Sequence, residues 1–189
     1  MKNFLLVPLM AVAWLCACRQ EPLPQDPPLV PIDYTVLPPI TQTGANTFGC
    51  LVNGEVWVPR VKLGVPWYSL AASLHEEDGK GSGIISSRLL TSTVDDFFSM
   101  AFAANYFHSV TYQTSLDTNN LLWFNPDFRH NHENYGHVDG DTSNYMKIIA
   151  IDTTKNIISG IFQCTLFNDN KTKTLRITEG RFDLLYYSE

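Results

Sequence analysis

Phe48-Gly49-Cys50-Leu51-Val52-Asn53-Gly54-Glu55-Val56-Trp57-Val58 is the stretch that decides the fold class. Two short apolar and β-branched runs flank an Asn-Gly pair, and Asn-Gly takes the positive φ angles of a type I′ turn at little cost, so the stretch predicts a tight β-hairpin. Pro59 follows, and its missing backbone donor ends the second strand.

The same texture runs to the C terminus: short apolar or alternating runs broken by Gly, Asn and Asp, with little helical periodicity. Strands are predicted over 67–74, 83–90, 107–114, 121–125 and 145–151, then over 157–167, 172–178 and 181–187. Turns are expected at 152–156, 168–171 and Glu179-Gly180. Residues 95–106 carry Phe97, Phe98, Met100, Ala101, Phe102, Ala103 and Ala104 and are apolar on both faces, which fits a central strand or a short buried helix; we read a strand. The expected fold is all-β: a single antiparallel β-sandwich or a small barrel-like meander.

Of 189 residues, 44% are apolar, 12% aromatic and 17% charged, which describes a folded chain with an aromatic-rich interior. The net charge is -6. Removing Lys2 with a leader would leave 12 basic against 19 acidic side chains, or -7, which excludes nucleic acid as a natural partner.

Ahead of the β region the texture differs. Residues 1–17 carry Lys2 and an apolar run over 4–15, far short of the roughly 20 residues of a membrane-spanning helix, and read as a signal peptide. Leu15-Cys16-Ala17-Cys18 resembles the bacterial lipobox, which makes Cys18 the lipidated first residue of the mature chain and a lipid anchor its contact with the membrane. Arg19 stands where an inner-membrane retention signal carries Asp, so the resemblance implies an outer-membrane address. Residues 18–40 contain Pro22, Pro24, Pro27, Pro28, Pro31, Pro38 and Pro39 and read as an extended tether, leaving 41–189 as the β domain.

Three stretches stand out together: Thr43-Gly44-Ala45-Asn46-Thr47-Phe48-Gly49-Cys50-Leu51-Val52-Asn53-Gly54, then Ser159-Gly160-Ile161-Phe162, then Ile177-Thr178-Glu179-Gly180-Arg181-Phe182-Asp183. The pattern TGxNTFGCxVNG … SGxF … ITxGxFD resembles a family of Bacteroidetes-type lipoproteins of unknown function. The resemblance covers both ends of the domain but not its middle. It implies an envelope lipoprotein of β architecture and brings no activity with it.

Cys50 and Cys164 are the cysteines that remain, and an exported domain makes them candidates for a disulfide or for two buried thiols. The most chemical-looking stretch is 130–141, where His130, His132 and His137 accompany Glu133, Asp139 and Asp141. Imidazoles and carboxylates are metal ligands: His130 and His132 could face one side of an extended chain, with His137 returning across a turn and Glu133 or Asp139 completing the shell. The spacing matches no established zinc or calcium pattern, and a solvated polar loop is the competing reading. The loop 76–83 lacks the first glycine and the Ser or Thr of a phosphate-binding loop and reads as a turn, and Ser82 lacks a nucleophile frame. Trp57, Trp67, Tyr68, Trp123 and Phe124 would suit sugar faces if exposed and a core if not.

The main functional expectation is a non-enzymatic cell-envelope lipoprotein that binds a glycan or a protein ligand and needs no cofactor. The alternatives are a metal-dependent hydrolase built on 130–141 and a structural envelope subunit.

Overall fold

Asn53 and Gly54 both take positive φ, 52° and 90°, and close the predicted hairpin between β1 (Thr47–Val52) and β2 (Glu55–Trp57). The register pairs Cys50 with Trp57 and Val52 with Glu55. Asn53 does more than turn: its backbone N–H donates to the Arg176 carbonyl and its Oδ1 accepts from the Arg176 N–H, both at 2.8 Å.

The computed structural model describes residues 33–61, 69–77, 80–104, 112–115, 121–128, 133–138, 141 and 143–188. The remaining strands are β3 (Arg60–Val61), β4 (Leu70–Glu77), β5 (Lys80–Leu90), β6 (Asp95–Ala104), β7 (Tyr112–Ser115), β8 (Leu121–Asn125), β9 (Tyr135–His137), β10 (Tyr145–Asp152), β11 (Ile157–Asn168), β12 (Thr174–Leu185) and β13 (Tyr187–Ser188). The all-β expectation holds, and the doubly apolar run from residue 95 is a strand.

Two expectations are corrected. Residues 172–178 and 181–187 are not two strands around a turn: β12 runs unbroken through Glu179-Gly180, which form a bulge with Glu179 at φ 52°. An extra residue in one strand shifts register without reversing the chain. The polar stretch read as one long loop holds β9, whose Tyr135 is buried in the core.

All strands join one mostly antiparallel sheet ordered β13-β4-β5-β6-β8-β9-β11-β12-β1-β2, with β10 beside β11, β7 beside β10 and β3 beside β5. The ladder does not close into a barrel. It does curl: Phe48 on β1 and Phe98 on β6 lie five strands apart in the order, about 24 Å on a flat sheet, yet their ring centroids are 5.4 Å apart. Two short parallel pairings follow from this curl. β3 follows β2 in sequence but pairs with Leu89 and Leu90 of β5, and β13 follows β12 but pairs with Ser73 and Leu74 of β4.

Inside the curl the rings of Phe48, Trp57, Phe98, Phe124 and Phe162 pack at centroid separations of 5.4–6.0 Å. Such aromatic pairs each contribute about 0.5–1.5 kcal/mol beyond burial itself. The Trp57 indole N–H is not left bare, donating to Asp96 Oδ2 at 3.0 Å.

β11 and β12 are pinned by a reciprocal pair. Gly160 faces Phe182 and Phe162 faces Gly180 across the ladder. A Cβ on Gly160 would come within 2.4 Å of the Phe182 ring, and one on Gly180 within 2.5 Å of the Phe162 ring. Each ring therefore lies over the bare backbone of the opposite strand, which fixes register.

Asp183 completes the lock. Phe182 and Leu184 point into the core, so Asp183 points to the opposite face of β12, where it is 1% exposed. Its Oδ1 accepts from Gly44 N–H (2.8 Å) and Ser159 Oγ (2.9 Å). Its Oδ2 accepts from Thr41 Oγ1 (2.6 Å), Thr43 N–H (2.9 Å), Thr43 Oγ1 (3.2 Å) and Ala45 N–H (3.2 Å). One carboxylate thus fastens 41–45 over β11 and β12. Ahead of that segment, Arg181 reaches the Pro38 carbonyl at 3.4 Å.

Burial alone pushes the Asp183 carboxyl up, but hydrogen bonds from Thr41, Thr43, Gly44 and Ala45 outweigh it and hold the group at about 2 instead of 3.8. A depressed carboxylate stabilises the fold fully above its ordinary pKa and loses that stabilisation as pH falls through the folded value. Denaturant midpoints are therefore expected to drop between pH 4 and pH 2 by an amount equivalent to about 2 kcal/mol, and Asp183→Asn removes that drop. Gly180→Ala is expected to cost about 1–3 kcal/mol by denaturant titration, because the Phe162 ring must leave its seat.

Candidate functional site

Of the histidine-rich stretch, Glu133, His137 and Asp141 can be placed; His130, His132 and Asp139 lie outside the described residues. Glu133 precedes β9, and both of its oxygens are engaged. Oε1 accepts from Asn168 Nδ2 at 2.8 Å, and Oε2 accepts from Lys173 Nζ at 2.9 Å and from the Tyr135 hydroxyl at 3.2 Å. Lys173 and then Asn168 hold the Glu133 carboxyl below its ordinary range. This carboxylate ties β9 to the β11–β12 turn. His137 lies on β9 with Nδ1 3.4 Å from the Leu122 N–H, a long contact that orients the ring toward β8. Glu133 and His137 thus serve different neighbours, and among the described residues no three His, Cys, Asp or Glu side chains converge on a cation position.

Cys50 and Cys164 are two free thiols in the core cluster. β12 lies between their strands, which places the backbones about two strand spacings apart, near 10 Å, where a disulfide needs less than about 7 Å. Burial raises both thiols well above their ordinary range, and for Cys164 the neighbouring Cys50 adds to it.

Trp57 and Phe124 are core residues, Trp123 is half-buried on the other face of β8, and Trp67 and Tyr68 lie outside the described residues. Of the loop 76–83, residues 76–77 lie on β4 and 80–83 on β5, with Glu77 paired to Lys80 and His75 to Ser82; residues 78–79 lie outside the described residues. Cys18 lies outside the described residues.

A different place on the sheet carries more. Along one edge of β11, β10 pairs with residues up to Gln163 and β9 begins at Leu166, so Cys164 and Thr165 have no strand beside them there. Asn144, just ahead of β10, fills the gap with a side chain: its Oδ1 accepts the Thr165 N–H at 2.9 Å, and its own N–H donates to the Asp141 carbonyl at 3.0 Å. Asn144 is 1% exposed, and its Nδ2 is buried with no hydrogen-bond partner. Leaving such a donor unsatisfied costs about 1–3 kcal/mol and calls for an explanation.

Asn144 lines an open hollow of about 350 Å³ together with Ser143, Gln163, Thr165, Arg176 and Thr178. Thr165 and Arg176 face one another across the β11–β12 ladder. A second hollow of about 610 Å³ adjoins it, sharing Arg176 and Thr178 and reaching Asn53, Gly54 and Glu179. Gln163 Nε2 donates to the Ser143 carbonyl at 3.1 Å, and Glu179 Oε2 is 3.1 Å from the Arg181 guanidinium. Chemically this is a surface of amides, hydroxyls and one guanidinium, with the Glu179 carboxylate at the rim of the wider hollow. Sequence reasoning missed it because its residues come from three segments joined only by strand register; Asn144 ahead of an apolar strand was its only local sign.

No family model, no curated protein and no solved structure matches the chain.

With both thiols buried and held neutral, alkylating reagents at pH 8 are expected to leave Cys50 and Cys164 unlabelled in the folded protein and to label both in denaturant without prior reduction. Peptide mass spectrometry reads this directly; label appearing only after reduction would show a disulfide.

Proposed function

We propose that this chain is a lipid-anchored lipoprotein of the cell envelope, attached through Cys18 to the outer membrane, and that its β domain is a non-enzymatic binding module for a glycan or an envelope protein. On this reading the curled sheet is a sandwich in which the β4–β8 half faces the β11–β2 half, and the proline-rich residues 18–40 tether it to the membrane. The lipobox-like Leu15-Cys16-Ala17-Cys18 supports the address. The observation that carries the binding half is the pair of adjoining hollows around Arg176 and Thr178, lined by groups that hold ligands through hydrogen bonds.

Two measurements test this. Expressed in a bacterial host, the full chain is expected to take up labelled palmitate and to fractionate with membranes, and Cys18→Ala to lose both; uptake by the variant would refute the anchor. The detergent-solubilised protein is expected to bind soluble envelope polysaccharide fragments or an envelope protein saturably. Absence of binding across both panels would overturn the module reading.

A further inference from the structure

The unsatisfied amide of Asn144 narrows the ligand class, an inference that rests on the binding-module reading. Nδ2 can only donate, and among the described residues that line the smaller hollow none carries a carboxylate. Its one charged group is Arg176, whose guanidinium offers up to five donors and has no carboxylate partner among the described residues. Glu179, at the rim of the wider hollow, lies beside Arg181. The nearest placed carboxylate, Asp141, is taken up by the Ser143 N–H (2.9 Å) and hydroxyl (2.6 Å), so among the described residues the wall presents a buried donor and a cation that no carboxylate engages, which is what an oxyanion supplies. A single guanidinium in a chain of net charge -6 selects one anionic group rather than a polyanion. The hydroxyls of Thr165 and Thr178 suit the neutral hydroxyls of a carrier.

We infer that the hollow binds an oxyanion, a carboxylate or phosphate, borne on a glycan, with the anion held between the Arg176 guanidinium and the Asn144 amide. Arg176 sets the preference for charge. Asn144 has two separate tasks, its Oδ1 completing the sheet at Thr165 and its Nδ2 meeting the ligand.

The test uses the full-length solubilised protein and calorimetric titration with three probes: a glucuronic acid-containing oligosaccharide, a neutral glucose oligosaccharide of equal length, and inorganic phosphate. The acidic oligosaccharide is expected to bind roughly tenfold or more tighter than the neutral one, with phosphate competing. Arg176→Met, which keeps an apolar stem on an exposed position, is expected to erase that difference. Asn144→Asp keeps the acceptor for the Thr165 N–H, replaces the donor with a negative charge, and is expected to lower acidic-glycan affinity by roughly tenfold or more; the buried charge also lowers the melting temperature, so binding is compared well below the variant's own transition. Equal binding of acidic and neutral oligosaccharides, or full affinity in Arg176→Met, overturns the inference while leaving a glycan-binding module intact. Phosphate binding as tightly as the acidic oligosaccharide overturns the glycan as carrier. Binding of envelope protein but of none of the three probes overturns this inference alone, whereas no binding of any envelope component overturns the module reading with it.

Discussion

A single buried carboxylate holds this fold in register. Asp183 sits where β1, β11 and β12 run side by side, paired with Thr47 on one flank and Ser159 on the other. It collects donors from a segment about 140 positions earlier in the chain. A carboxylate with so many fixed donors tolerates no slip: moving β12 by one residue would carry the acid into the aromatic core and turn Phe182 to the surface. The glycine–phenylalanine exchange between β11 and β12 enforces the same register from the other face. Polar and apolar sides of one strand therefore specify a single alignment, and the rest of the sheet is built from it.

Much of this was legible in the residues. Asn53-Gly54 announces its turn because few other pairs take two positive φ angles cheaply, and strands with β-branched and aromatic runs reveal themselves by composition. Glu179-Gly180 misleads, since a polar residue before glycine looks the same whether the chain reverses or merely bulges. The difference is made by the Phe162 ring lying over Gly180, a contact between distant segments. β9 was hidden by its polar neighbours, and its membership in the sheet rests on Tyr135 packing inward and on the Glu133 network.

The candidate site lay beyond reach for a related reason. Local patterns report on what a segment does with itself. The hollow exists because β9 and β10 share one edge of β11 and leave a gap between them, a property of how strands are dealt around the sheet. The histidine-rich stretch drew notice through composition, yet of its placed carboxylates Glu133 is spent on a lysine, an amide and a phenol, and Asp141 on Ser143. Asn144 drew none, although it does by side chain what a missing strand would have done by backbone.

The fastening of residues 41–45 has a mechanical meaning. A pull transmitted from the N-terminal side, once past the weaker contacts at Tyr34 and Pro38, meets the domain at Asp183, on a strand with neighbours on both sides, rather than at the free rim of the sheet. Five hydrogen bonds from residues 41–45 converging on one anchor share such a load instead of failing one after another. The domain is thus gripped as a clasp that must be sheared, while an attachment at β2 or β13 could be peeled open like a zip.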